Sequence, residues 1–193
     1  MDRLILLDNG HGKNTLGKRS PDGSLMEWSY TRKIVKLIYK ELSNLGYNVH
    51  ILVPEEEDIA LSERRKRINK FCEEYNNNVL MISVHVNAAG DYGWHNARGW
   101  QVHTNLDPTD QTKNLANILF DTANELKLKT RKPSPSQNYW MNDFYIIKRV
   151  NCPAVLTENL FQDNIDDVEF LLSDIGIKTI VKLHVDSIMK FIK

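Results

Sequence analysis

The sequence predicts an α/β fold: a mainly parallel, twisted sheet with helices on both faces. Two observations predict it. Short runs of consecutive apolar residues, Leu4 to Leu7 and Val79 to Val84, read as strands buried on both sides. Segments of helical period alternate with these runs, which is the pattern of βαβ units. The 193 residues are 41% hydrophobic and 26% charged, ordinary values for a globule with a real core. No linker, internal repeat or low-complexity segment divides them, so residues 1–193 are expected to form a single domain.

In chain order, the first strand stops at Asp8, and His11 follows between Gly10 and Gly12. Glycine permits the sharp exit turn that places His11 at the carboxyl end of a central strand. Lys13 to Gly23 is a loop. Met26, Tyr30, Ile34, Leu37, Ile38, Leu42 and Leu45 recur at helical spacing, and Gly46 ends that helix. Tyr47 to Val53 reads as a strand stopped by Pro54, and Leu61 to Tyr75 as a second helix closed by Asn76 to Asn78. After the strand Val79 to His85, Ala88 to Gly99 is a loop. Trp100 to Thr104 is a strand candidate, Thr109 to Leu128 a helix, and Thr130 to Gln137 a surface loop. Phe144 to Ile147 is a candidate short strand, and Ala154 to Glu158 is the last clear one. Asp166 to Leu172 and Ile177 to Ile192 are closing helices separated at Gly176.

Lys+Arg and Asp+Glu balance at 25 each, which argues against a nucleic-acid or anionic-membrane binder. No apolar run approaches the roughly 20 residues of a membrane span. The N-terminus does not read as a signal peptide, because Asp8 and His11 interrupt too short an apolar stretch. Cys72 and Cys152 lack metal-type spacing; a disulfide between them stays open.

In parallel sheets the carboxyl ends of strands share an edge with the amino ends of the following helices. His11, Glu27, His85 and Glu158 all fall on that edge. Two histidines and a carboxylate are a common ligand set for a catalytic Zn²⁺, and the remaining carboxylate can then serve as general base. Composition alone does not say which glutamate does which.

At this point the chain resembles the zinc-dependent N-acetylmuramoyl-L-alanine amidases often called amidase type 3. The resemblance rests on Gly10-His11-Gly12, on Glu27 early in the first helix, on Ser83-Val-His85-Val-Asn87-Ala88, and on Pro153-Ala-Val-Leu-Thr-Glu158. The Leu61 to Asn69 helix and Gly99-Trp-Gln-Val fit the intervening pattern. The resemblance implies one Zn²⁺ per chain held by His11, Glu27 and His85, with Glu158 as the catalytic carboxylate. It implies peptidoglycan as substrate, cut at the amide between N-acetylmuramic acid and L-alanine. The chain departs from the family at Val53-Pro54, where Thr-Arg is frequent, and at Asn159-Leu160, where Gly-Phe is frequent. Some members carry a long helical insert after the Ser-x-His stretch; Ala88 to Arg98 leaves room for none.

Other readings stand beside these. Ser24 to Glu27 spells a capping box, which would turn the Glu27 carboxylate back to the Ser24 amide. His103 is the main competitor as ligand, and its alternation with Val102 suggests a surface or second-layer position. His184 reads as a core histidine, and His50 and His95 as strand-surface and loop residues. Asp8 and Asn87 are candidates for hydrogen bonds to ligands or substrate. Trp94, Trp100, Tyr139 and Trp140 either line a groove or pack. Arg64 to Lys70 reads as a solvated basic face. Gly12 to Arg19 nearly spells a phosphate-binding loop but has Arg19 where Ser or Thr should hold Mg²⁺. A non-catalytic wall-binding module and a zinc peptidase cutting within the stem peptide are the other rivals. A wall hydrolase made in the cytoplasm without a signal peptide suggests a phage or prophage endolysin, or a domain of a longer secreted protein. Oligomeric state is not legible.

Overall fold

A computed structural model describes residues 2–193. The elements run β1 (Leu4–Asn9), α1 (Glu27–Asn44), β2 (Val49–Ile51), α2 (Leu61–Glu74), β3 (Val79–Asn87), β4 (Gln101–Thr104) and α3 (Asp110–Glu125). Then come β5 (Trp140–Met141), a 3₁₀ turn (Tyr145–Ile147), β6 (Ala154–Phe161), α4 (Ile165–Leu172) and α5 (Asp174–Ile192). The strands form one sheet of six in the order β2-β1-β3-β6-β4-β5. β2, β1, β3 and β6 are mutually parallel, and β4 is antiparallel to β6.

The order creates the crevice. The chain leaves β1 through α1 to reach β2 on one side, then returns through α2 to β3 on the other. Such a switch point opens a gap beyond the carboxyl ends of the strands. Right-handed crossovers put the two connecting helices on opposite faces. Accordingly Ile34, Ile38 and Leu42 of α1 pack in one core with Leu80 and Ile82, and Ile68 and Cys72 of α2 pack in the other with Leu4, Leu6 and Met81. β1 is buried along its whole length, as its uninterrupted apolar run requires.

Several boundaries differ from the sequence reading. Phe144 to Ile147 is not a strand. The Ile147 amide bonds back to the Phe144 carbonyl, closing a 3₁₀ turn whose Ile146 and Ile147 fill the core beside α2. A short apolar run cannot tell a strand from a helical turn. β5 was not foreseen: two residues, one of them Trp140, pair with His103 and Thr104 and carry no periodicity to read. The last two helices part at Ser173 rather than Gly176. The Ser173 hydroxyl accepts the Gly176 amide at 3.0 Å and caps α5. Gly176 sits in the first turn because a Cβ there would lie 1.7 Å from the Phe170 carbonyl oxygen. Tyr47 to Val53 pairs only over Val49–Ile51. Residues 88–100 between β3 and β4 contain no helix. Cys72 and Cys152 are free thiols.

Candidate metal centre

His11 lies just beyond β1 with φ 60°, a left-handed conformation that costs a non-glycine residue about 1–2 kcal/mol. The surroundings impose it. The Gly10 carbonyl accepts the Thr31 hydroxyl at 3.1 Å. The His11 carbonyl accepts Arg32 Nη1 at 2.8 Å and Arg64 Nη2 at 3.3 Å. Both neighbouring glycines are sterically required: a Cβ at Gly12 would meet the Asp58 backbone at 2.0 Å, and one at Gly10 would meet the His85 ring at 2.5 Å.

Glu27 begins α1, but not as a capping box. Met26 is the N-cap and makes no side-chain cap bond. The Glu27 amide instead donates to the Lys18 carbonyl at 3.0 Å, as the preceding loop folds back over the helix start. The Ser24 amide, which a capping box would give to Glu27, donates to Asp22 Oδ1 at 3.0 Å, so the Glu27 carboxylate is free to turn inward, where the residue is 1% exposed. Oε1 accepts the Val86 amide at 3.0 Å and lies 3.1 Å from His85 Nδ1; Oε2 lies 3.4 Å from His11 Nε2. The two imidazoles meet edge to face, with ring centroids 5.1 Å apart.

One nitrogen from each histidine and one oxygen from Glu27 lie within 4.8 Å of one another, so the three side chains could hold a metal ion. Ligands about 2.0–2.1 Å from a tetrahedral zinc stand about 3.3 Å apart, and each imidazole lies at that scale from one oxygen of the carboxylate, His85 Nδ1 at 3.1 Å from Oε1 and His11 Nε2 at 3.4 Å from Oε2. The protonation states of His11 and Glu27 agree with that role, whereas His85 carries a tendency to protonate, set by Glu27, that a metal ion would have to displace. Burial lowers His11 to about 4, which keeps it neutral, as a metal ligand must be. Burial opposes charge on both Glu27 and His85, but their mutual hydrogen bond prevails: Glu27 is lowered and His85 raised.

Glu158 stands beside this cluster. It is the in-register partner of His85 across the β3–β6 pair. Its Oε2 is buried without a hydrogen bond. Burial pushes its carboxyl up to about 8, against the pull of His85 and with the repulsion of Glu27. An unsatisfied buried carboxyl is costly, and such groups are concentrated at functional sites. Both strands run on past these residues, to Asn87 and Phe161, rather than ending at them. Between the His85–Glu158 and Asn87–Phe161 pairs the register shifts, forming a bulge in which Leu160 adopts φ 66°. Such a bulge re-aims side chains at a sheet end.

The remaining candidates fall elsewhere. Asp8 is buried and binds Arg64 Nη1 at 2.9 Å and the Ser83 hydroxyl at 2.5 Å, so it anchors the turn below His11. Asn87 donates to Gln101 Oε1 at 3.0 Å. His103 is buried rather than on the surface, between Asn142 Oδ1 at 2.7 Å and Gln101 Oε1 at 3.2 Å. His184 is in the core, between Thr157 Oγ1 and the Ile180 carbonyl. His50 is exposed on its strand and His95 lies in a loop. Trp100 is fully buried and donates to Asn159 Oδ1 at 2.9 Å, whereas Trp94 is exposed. Arg64 corrects the reading of a solvated face: it is 2% exposed, because three backbone carbonyls and two carboxylates surround its guanidinium. Arg32 and Arg64 were not singled out as site residues. Only their helical register toward the His11 turn could have betrayed them.

A family model described as N-acetylmuramoyl-L-alanine amidase matches residues 5–190. The chain belongs to that family. Its members' activity, hydrolysis of the amide between N-acetylmuramic acid and L-alanine in peptidoglycan, is the activity of this enzyme. The endolysin of Bacillus phage SPP1 is 26% identical over all of this chain and 67% of its own length. The amidase CwlM of Bacillus licheniformis is 24% identical over 96% of this chain and 67% of its own length. The chain thus spans about two thirds of these relatives. Among solved structures, an N-acetylmuramoyl-L-alanine amidase from Clostridium difficile 630 superposes with a TM-score of 0.85 at 21% identity, covering 98% of this chain and 96% of that one. The catalytic domain of CwlV from Bacillus (Paenibacillus) polymyxa var. colistinus gives 0.80 at 18% identity, covering 98% and 97%. Both share the fold. Among the described residues no helix is long and apolar enough to cross a membrane.

Proposed function

We propose that residues 1–193 act as one zinc-dependent catalytic unit, with His11, Glu27 and His85 as metal ligands and Glu158 as general base. The observation that carries this reading is the convergence of the three donors beside an unsatisfied Glu158 carboxyl. Bound zinc would supply electrophilic polarisation of the scissile carbonyl and a more acidic water.

The protein's own residues do the rest. Arg32 and Arg64 fix the backbone of the His11 turn, so its imidazole need not reorganise. The Val86 amide and the buried setting hold Glu27 in one orientation. Glu158 accepts the proton of the attacking water and passes it to the departing amine nitrogen. With no internal hydrogen bond to Oε2, that carboxyl is free to exchange protons.

The wall is the site of action, and the match to a phage endolysin supports a lytic role. The test is a peptidoglycan digest followed by mass spectrometry of the soluble fragments. Free stem peptides with an N-terminal L-alanine, lost on chelation and restored by zinc, are expected. Fragments cut inside the stem would replace this reading with the peptidase one.

A further inference from the structure

Next to the site lies a cleft of about 340 Å³ that the chemistry above does not use. Asn87, two residues beyond His85, and Phe161, three beyond Glu158, form part of its wall. Gln101, the strand partner of Glu158, is another part, so the cleft abuts the scissile position. His103, Arg131, Trp140 and Asn142 complete its polar lining.

The lining offers donors. The oxygens of Gln101 and Asn142 face His103, and Gln101 also accepts from Asn87. The buried indole N–H of Trp140 has no hydrogen-bond partner among the described residues. No Asp or Glu lines the cleft. Among the described residues the Arg131 guanidinium makes no hydrogen bond or ion pair; it stacks on the Phe161 ring, 5.0 Å from its centroid.

Arg131 is nonetheless held in place. Its amide donates to the Trp100 carbonyl at 2.8 Å, and the Trp100 amide donates to the Lys129 carbonyl at 2.7 Å. Its aliphatic stem packs on Gly99, where φ is 115° and a Cβ would lie 3.1 Å from Arg131 Cγ. A preorganised, unpaired guanidinium among unfilled donors is built for a carboxylate.

We infer that this cleft is the subsite for a free carboxylate on the stem-peptide residue that follows L-alanine, with Arg131 as its specificity determinant. This rests on the amidase reading. Chemistry fixes the direction: the muramic acid carboxyl is consumed in the scissile amide, so an anion close to that bond must come from the peptide. The peptide therefore runs over Asn87 and Arg131, and the glycan lies on the opposite side of the zinc ligands.

The experiment uses the intact chain with zinc and two synthetic N-acetylmuramoyl peptides. They differ only in whether the residue after L-alanine carries an α-carboxylate or a carboxamide. The expected result is a kcat/KM ratio favouring the acid by about ten- to a hundredfold, the scale of one charge-assisted pair. In Arg131→Gln that ratio collapses toward one, and in Arg131→Lys part of it returns. A wild-type ratio near one, or a ratio unchanged in Arg131→Gln, overturns the subsite while leaving amidase activity standing. Failure to cleave either substrate or whole peptidoglycan overturns the amidase reading, and the subsite with it.

Discussion

Arg64 is the residue whose replacement tests most sharply how the His11 turn is built. Its guanidinium donates to the carbonyls of Ile59, Asn9 and His11 and to the carboxylates of Asp8 and Asp58. A lysine ammonium has only three donors and no fork. Arg64→Lys must therefore strand at least two acceptors in a buried setting. At about 1–1.5 kcal/mol for each, the loss is about 2–3 kcal/mol. Arg64→Met removes the charge as well and leaves Asp8, 1% exposed, with the Ser83 hydroxyl as its one hydrogen-bond donor among the described residues. Breaking one side of such a pair costs about 3–5 kcal/mol. Adding Asp8→Asn to Arg64→Met should recover part of this, because the second change removes the stranded charge. The assay is urea unfolding of wild type, both single Arg64 variants, Asp8→Asn and the double variant, with a chelator present so that metal binding adds nothing. If both Arg64 variants lie within about 0.5 kcal/mol of wild type, the scale of an ordinary surface change, the clamp does not exist.

Other outcomes follow from the same structure. Glu158→Gln should bind zinc at wild-type stoichiometry yet lose about 10²–10⁴-fold in kcat on peptidoglycan, the usual worth of a general base; retained turnover would remove Glu158 from that role. His85→Ala should lose stoichiometric zinc in metal analysis. Gly10→Ala would push a methyl to 2.5 Å from His85 ring atoms, so zinc affinity should fall more than unfolding stability does when both are titrated. Burial lowers His184 to about 4, so its protonation opposes folding. Because the unfolded chain binds that proton first, stability should decline as pH falls from about 6.5 toward 4, by about 3 kcal/mol from this group. His184→Gln should flatten that slope in unfolding titrations across the window, and an identical slope would contradict the burial argument.

The parts of this molecule that announce themselves in the sequence are those governed by one-dimensional rules. β1 and β3 are buried on both faces, and their apolar runs are of strand length with glycine or asparagine close by, which favours strand over helix. α1 and α3 carry plain helical period. The edge shared by His11, Glu27, His85 and Glu158 follows from parallel topology, before any contact is seen. What stayed hidden depends on contacts distant in sequence. Arg64 looks like surface charge until the His11 turn, 53 residues earlier, supplies a carbonyl for it. Ser24 and Glu27 spell a cap, but the Lys18 carbonyl takes the Glu27 amide and Asp22 takes the Ser24 amide, which leaves the Glu27 carboxylate free. β5 exists because His103 and Thr104 lie beside it, not because Trp140–Met141 favours a strand by itself. The bulge at Leu160 was invisible for the same reason, since nothing local demands a left-handed leucine.

The central claim is that two imidazoles and one carboxylate gather a single zinc ion next to Glu158. Diffraction from zinc-loaded crystals on either side of the zinc absorption edge reads this directly. One anomalous peak within bonding distance of His11, Glu27 and His85, with the Glu158 carboxyl facing it, is the result expected. A peak held by any other side chains, or no peak from a protein that still cleaves peptidoglycan, would contradict the account.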